Sequence, residues 1–107
     1  MGKFSRDKGA RFERLVAKKW TELFGGDNKR GCQHMGGFDS PDVILEIKGI
    51  SVECKHVEKL NMYSAMQQSI DDSGDNIPIV ISKKNHKPIL VTLQLEDLPE
   101  LVKKLQE

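Results

Sequence analysis

Residues 40–59, which read SPDVILEIKGISVECKHVEK, hold the side chains with the clearest capacity for chemistry. Two β-branched runs stand on either side of a Lys-Gly pair, and the second run contains Glu53 and Lys55. This arrangement predicts a β-hairpin. Because side chains alternate between the two faces of a strand, Glu53 and Lys55 point one way and Cys54 points the other.

Asp42 lies at the start of the first predicted strand. If the two strands pair around a turn at the Lys-Gly pair, Asp42 comes to lie beside Glu53. Hard cations such as Mg²⁺ bind through one or two carboxylates together with substrate phosphate oxygens. A neighbouring lysine orients the attacking water or stabilises the charge that develops on the phosphate. Asp42, Glu53 and Lys55 therefore indicate metal-dependent hydrolysis of phosphodiester bonds.

Each of these residues also has an ordinary structural interpretation. Glu53 and Lys55 would form an ion pair on a solvated sheet face, and Asp42 would cap a turn after Pro41. A Glu-x-Lys or Asp-x-Lys triplet alone carries little weight, because it arises by chance at roughly one position in a hundred to a few hundred. The upstream Pro-Asp pair at strand spacing makes the pattern more specific.

Taken together, these residues are recognisable. Pro41-Asp42, ten intervening residues and Glu53-Cys54-Lys55 resemble the signature of the PD-(D/E)XK nucleases. Residues 8–14, KGARFER, are similar to the opening helix of archaeal and phage Holliday junction resolvases, in which a helix glutamate completes the metal site. Glu13 matches that glutamate. Residues 77–91 also resemble small phage-encoded members, so the resemblance covers nearly the whole chain.

The resemblance implies a Mg²⁺-dependent endodeoxyribonuclease, with Mn²⁺ able to replace Mg²⁺, that prefers branched DNA as a Holliday junction resolvase does. It assigns Lys55 to the attacking water. It also implies a set of metal ligands that extends beyond the hairpin carboxylates: Asp42, Glu53, Glu13 and the backbone carbonyl of Cys54. Related nucleases carry an accessory helix glutamine, which Gln67 or Gln68 matches. The following Asp-Ser-Gly favours Gln68.

Two alternatives stay open at this point. One is a nuclease with the same chemistry that acts on flaps, nicked duplex or single strands, and the other is a DNA-binding module that does not cleave. The combination of Glu13, Asp42, Glu53 and Lys55 argues against the module, because a protein that only binds has no use for it. Resolving a four-way junction takes two symmetric incisions, which favours a two-fold homodimer.

Basic residues are concentrated near the amino terminus. Residues 1–31 contain nine Lys or Arg against four Asp or Glu, although the net charge of the chain is only +1. A basic segment beside an acidic cluster is expected when one surface follows phosphates and the cluster holds cations, whereas the ordinary interpretation is a solvated helix face. The predicted DNA contacts are Arg11, Arg14, Lys18, Arg30, Lys83 and Lys84.

The segment 27–40 is rich in glycine and polar residues and predicts a loop with a short strand at about residues 29–33. The Gly36-Gly37 pair is a further candidate for a phosphate contact, although a connecting role suits it better. Cys32-x-His34 and Cys54-x-His56 contain zinc-ligand types. Their spacing is tighter than that of known zinc sites, so we do not favour zinc.

The periodicity of the remaining residues predicts a single α/β domain over residues 1–107. The resemblance implies that this is a nuclease domain with a restriction-endonuclease-like core. A central mixed β-sheet is flanked by helices in the order α-β-β-β-α-β-β-α. An apolar stripe from Phe12 to Phe24 defines the first helix. The predicted helices are residues 5–24, 59–73 and 96–106, with Asn61 as a candidate N-cap of the second, and the last two strands are residues 77–82 and 88–95.

Two cysteines form no disulfide framework, and no apolar run is long enough to cross a membrane. The sequence also shows no signal peptide. These features predict a cytoplasmic protein in a reducing compartment with no membrane partner. The resemblance to phage-encoded proteins is compatible with a phage origin.

Overall fold

The computed structural model describes residues 3–31 and 41–107, with side chains in the first helix from residue 7 onward. Within these ranges the chain forms the predicted order of elements. They are α1 (Lys3–Phe24), β1 (Lys29–Arg30), β2 (Val43–Ile44), β3 (Ile50–His56), α2 (Met62–Ser73), β4 (Ile77–Lys83), β5 (Leu90–Thr92) and α3 (Leu98–Gln106). A 3-10 helix, Leu95–Asp97, leads into α3.

The strands form one sheet in the spatial order β1-β2-β3-β4-β5. Strands β3 and β4 are parallel, with α2 as the crossover between them, and the other neighbouring pairs are antiparallel. A parallel pair needs a long connection, and a helix provides it. The predicted mixed sheet of an α/β, restriction-endonuclease-like core is confirmed.

Alternating residues of the two central strands bury apolar side chains against helices on both sides. Val52 and Ile79 are fully buried in the cluster that contains Phe12 of α1. Val80 is buried in a second cluster with Met66 of α2. Each such side chain contributes about 1.5–3 kcal/mol relative to an exposed one. This packing holds β3, which carries Glu53 and Lys55, at the centre of the sheet.

The apolar stripe of α1 docks over only part of its predicted length. Phe12 and Trp20 are buried as predicted, but Leu23 is 73% exposed and Phe24 is 47% exposed. Both line an open apolar groove of about 220 Å³ together with Val91 of β5. The last turn of α1 therefore flanks a groove and is not covered by the core.

Several predicted boundaries were wrong by a few residues. The second helix begins at Met62, because Asn61 caps it by accepting a hydrogen bond from the Ser64 amide at 3.0 Å. The last strand, predicted as residues 88–95, pairs with β4 only over Leu90–Thr92, opposite Val80 to Ser82. The final helix begins at Leu98 and not at residue 96, because residues 95–97 form a 3-10 helix.

In the described residues, the predicted strand at residues 29–33 pairs only at Lys29–Arg30. Cys32, His34 and the Gly36-Gly37 pair lie outside the described residues, as does the zinc arrangement that would need Cys32 and His34. No helix among the described residues is long and apolar enough to cross a membrane.

Candidate active site

The hairpin of β2 and β3 positions the Asp42 carboxylate. Val43 lies opposite Val52 in the antiparallel pair, and the Asp42 amide donates to the Val52 carbonyl at 2.9 Å. The Cys54 amide then donates to Asp42 Oδ2 at 2.8 Å. One backbone bond and one side-chain bond thus hold Asp42 against β3, next to Glu53.

Gly31 supports this arrangement from the other side. Its amide donates to the Asp42 carbonyl at 2.8 Å. A Cβ atom at Gly31 would lie 2.0 Å from the Pro41 carbonyl oxygen, a distance that would force the backbone apart. Only glycine allows β1 to pass this close to the start of β2. The sequence carried no signal for this role, because the contact is visible only once the two segments are paired.

Glu53 and Lys55 lie on the same face of β3, as the alternation predicts. Glu53 Oε2 and Lys55 Nζ are 4.0 Å apart, and both side chains are mostly buried. That separation is at the limit of an ion pair, so the lysine is not committed to the glutamate. The ammonium group remains available to a third group placed between or beside them.

Two acidic side chains share this site. Burial, the charge of Asp42 and a hydrogen bond to Asp42 together raise the pKa of Glu53 from the ordinary value of 4.5 to about 7, with burial the largest cause. The Lys55 ammonium opposes the shift. Like charges held together in a half-buried site raise a carboxyl pKa in this way.

Glu13 reaches the site from α1. Its Oε1 accepts a hydrogen bond from Arg30 Nε of β1 at 2.7 Å. Burial raises the pKa of Glu13, Arg30 lowers it, and the charge of Asp42 raises it. Glu13 therefore lies within electrostatic reach of Asp42. Arg30, predicted as a phosphate contact, lies against Glu13 and is positioned by it.

Cys54 presents its side chain to the α1 side of the sheet. Burial raises the pKa of its thiol well above the usual range, and the charges of Asp42, Glu13 and Glu53 add to that effect. The thiol is consequently neutral and behaves as a small apolar group. What Cys54 offers to the acidic site is its backbone, which the Asp42 carboxylate already holds in place.

The predicted accessory residues Gln67 and Gln68 both lie on α2. Gln68 is exposed, and Gln67 donates to Asp71 Oδ1 at 2.9 Å. Asp72 is the α2 residue whose charge raises the pKa of Glu53. It follows Gln68 by four residues, a spacing that places two side chains on one helix face. The spacing alone does not link Asp72 to Glu53, so the sequence carried no signal for this effect.

The predicted basic residues occupy several surfaces. Arg11, Arg14 and Lys18 are exposed on α1. Lys83 ends β4, and Lys84 follows it in an exposed turn. His56, which the sequence analysis considered only as a zinc ligand that we do not favour, ends β3 and lies against the ring of Phe12 with centroids 5.2 Å apart. Burial, and then the charges of Lys8 and Lys83, lower the pKa of His56.

The donors at the site fit a hard divalent cation. Asp42 and Glu53 offer carboxylate oxygens, the ligand type that hard divalent cations take, and both must be ionised to bind one. In the described part of the chain, no three His, Cys, Asp or Glu side chains converge into a complete cation cage. Mg²⁺ does not require one, because it keeps several waters and takes phosphate oxygens as ligands.

Comparison with known proteins supports the same assignment. A family model described as "phage putative PDDEXK endonuclease" matches residues 4–107. Searches of curated proteins and of solved structures gave no match. The matched range includes the hairpin with Asp42, Glu53 and Lys55 and the helix with Glu13. The chain belongs to this phage PDDEXK endonuclease family, and thus to the PD-(D/E)XK nucleases.

Proposed function

We propose that this chain is a metal-dependent endodeoxyribonuclease that uses Mg²⁺, with Mn²⁺ as a substitute, and that residues 1–107 act as one nuclease domain. The observation that carries the proposal is the Asp42 carboxylate, held on the Cys54 amide beside Glu53 and Lys55. Membership in an endonuclease family supports the same reaction class.

Asp42 and Glu53 would hold the cation, with the Cys54 carbonyl and Glu13 completing the set. When bound, the cation lowers the pKa of a water molecule and offsets charge on the phosphate. Asp42 is preorganised for this role by its bond to β3. The Arg30 guanidinium holds the Glu13 carboxylate by a hydrogen bond of 2.7 Å, and Glu13 is within electrostatic reach of Asp42.

Lys55 would act on the attacking water and on the charge that develops on the phosphate. Its ammonium group is partly exposed and 4.0 Å from Glu53. A donor that is already in place costs no reorganisation at the moment of reaction. Gln68 remains a proposed accessory residue, and the position of Asp72 makes Asp72 a second candidate on the same helix.

We expect thermal stability to report cation binding through Glu53. Its pKa is about 7 in the folded protein and near 4.5 when unfolded. Between these values the folded chain binds more protons, so the stabilising contribution of protonated Glu53 is lost as pH rises through about 7. In EDTA, Tm should fall from about pH 5 to about pH 8, and Mg²⁺ should raise Tm more at the higher pH.

The matched control for this measurement is Glu53→Gln, which stays uncharged at both pH values. In that variant Tm should fall less steeply with pH, and the rise in Tm that Mg²⁺ causes should lose most of its pH dependence. Equal Mg²⁺ increments at both pH values in the wild type would show that the cation does not bind through Glu53. Glu96→Gln, an exposed site, should behave as the wild type.

The exposed basic residues of α1 should supply part of the DNA surface. Replacing Arg11, Arg14 and Lys18 with Gln removes cations that release counterions from DNA on binding. We expect weaker DNA binding. The slope of the logarithm of the binding constant against the logarithm of the salt concentration should be shallower by about two to three. Fluorescence anisotropy across a salt series measures both quantities.

The control for this variant loses the same charge elsewhere, through Lys48→Gln, Lys59→Gln and Lys103→Gln. All three lysines are exposed. Their removal should leave the slope nearly unchanged. If the α1 variant keeps the wild-type slope, the DNA surface lies elsewhere on the protein.

The finer proposal is a two-fold homodimer that acts on branched DNA, because two symmetric incisions need two sites. Among the described strands, β5 is an outer strand with one unpaired ladder edge, and Val91 on it is 52% exposed. A second copy offers the same edge, and two such edges satisfy each other in antiparallel pairing about a two-fold axis. We propose β5 and the adjoining apolar groove as that contact. Val91→Glu should therefore yield a monomer in light scattering.

The test of function is incubation with synthetic four-way junction, flap, nicked duplex, linear duplex and single-stranded DNA, each with Mg²⁺, Mn²⁺ or EDTA. We expect metal-dependent cleavage with junctions cut preferentially. Equal cleavage of linear duplex by a monomer would support a general nuclease. Binding without cleavage under every metal condition would support the non-catalytic module.

A further inference from the structure

A basic cavity lies beside the candidate active site, at the end of β3. It consists of two adjoining spaces of about 400 and 210 Å³, and both are lined by Lys8 and His56. Lys55 lines the larger space, whereas Arg11 and Lys83 line the smaller one. The cavity therefore connects the proposed catalytic lysine with a group of cations that lies outside the acidic cluster.

Three elements bring these side chains together. Lys8 and Arg11 are three residues apart on α1, a spacing that places them on neighbouring positions of one helix face. His56 and Lys83 end β3 and β4, and they lie opposite each other in the parallel register. The ring of Phe12 packs against His56 and fixes its position. The arrangement is thus built by the sheet and α1 and does not depend on a loop.

The positive charge in this cavity is not neutralised within the described chain. No acidic side chain in residues 7–31 or 41–107 lies within 4.0 Å of the charged atoms of Lys8, Arg11 or Lys83. Glu58 lines the larger space and accepts a hydrogen bond from the Asn85 amide at 2.7 Å, but its single negative charge is outnumbered by the charges of the four lining cations: Lys8, Lys55, Arg11 and Lys83. Clustered cations with low-dielectric walls attract an anion.

We propose that Lys8, Arg11, His56 and Lys83 form a subsite for a DNA backbone phosphate that flanks the scissile phosphate on the same strand. The inference rests on the proposed nuclease function. A polyanion is the ligand that reaches Lys55 and the smaller space at once, and guanidinium and ammonium groups are the common donors to phosphate oxygens. Such contacts carry no base information. They fix the register of the strand and hence the position of the scissile bond.

The test combines a protein change with a substrate change. Lys8→Gln with Lys83→Gln weakens the subsite, and a single neutral methylphosphonate, moved along the strand, removes one phosphate charge at a time. Affinity is measured by anisotropy with Ca²⁺, an oxygen-liganded cation, in place of Mg²⁺. At one flanking position we expect the methylphosphonate to weaken wild-type binding by roughly three- to tenfold.

The variant with Lys8→Gln and Lys83→Gln should lose a similar amount of affinity for unmodified DNA. It should lose no further affinity when the methylphosphonate stands at that position. This non-additivity is the signature of two changes that remove one contact. Additive losses at every position would overturn the subsite. Lys48→Gln with Lys103→Gln is the control of equal charge, and its effect on affinity should add to that of the methylphosphonate at every position. Lys8→Arg with Lys83→Arg should restore affinity if the fold is intact.

Cleavage of unmodified DNA by the wild type with Mg²⁺ is measured in parallel. If the wild type cleaves DNA and the losses of affinity from the protein change and the methylphosphonate add at every position, the subsite is wrong and the nuclease function stands. If the wild type neither binds nor cleaves any of the DNA substrates, the proposed function fails and the subsite fails with it.

Discussion

Glu53→Gln is expected to reduce DNA cleavage by roughly a thousandfold or more while DNA affinity stays within about twofold. The amide preserves the shape of the side chain. It loses the charge that would hold a divalent cation together with Asp42, and its nitrogen is a donor where the cation needs an acceptor. Binding survives because it depends on basic residues distributed over other surfaces.

Single-turnover cleavage in Mg²⁺ and anisotropy in Ca²⁺ separate the two effects. Glu96→Gln removes an exposed glutamate and should leave both quantities unchanged. Full turnover by Glu53→Gln, or by the wild type in excess EDTA, would end the assignment of this site. A variant that fails to bind DNA would instead indicate that Glu53 supports the binding surface.

Lys55→Ala should slow the chemical step by about a hundredfold or more, with a much smaller effect on affinity. A group that acts on charge present only in the transition state changes the rate of chemistry, whereas a group that only attracts phosphate changes binding. The half-buried position of Lys55, 4.0 Å from Glu53, favours the first role.

The variant should also change the pH dependence of the rate. The charge of Lys55 lowers the pKa of Glu53, so its removal raises that pKa further, and the acidic limb of the pH profile should move to higher pH. Lys48→Ala, at an exposed position, is the control. Wild-type single-turnover rates at saturating enzyme, combined with lower affinity, would show that Lys55 serves binding alone.

The sequence by itself determined the elements and their order, because those depend on local patterns. The apolar spacing around Phe12 specifies a helix, and alternation through Glu53 and Lys55 specifies which residues share a strand face. The Lys-Gly pair between two β-branched runs indicates a hairpin, and a hairpin places Asp42 near Glu53 once the strands pair. Each of these inferences uses residues that are close along the chain.

Tertiary structure alone decided the remaining relations. The contact of Arg30 with Glu13, the need for glycine at position 31 and the effect of Asp72 on Glu53 each join segments far apart in sequence. Their existence depends on the register of β2 on β3 and on where α1 and α2 cross the sheet. Those geometries are set by packing of the whole core, so no local pattern encodes them.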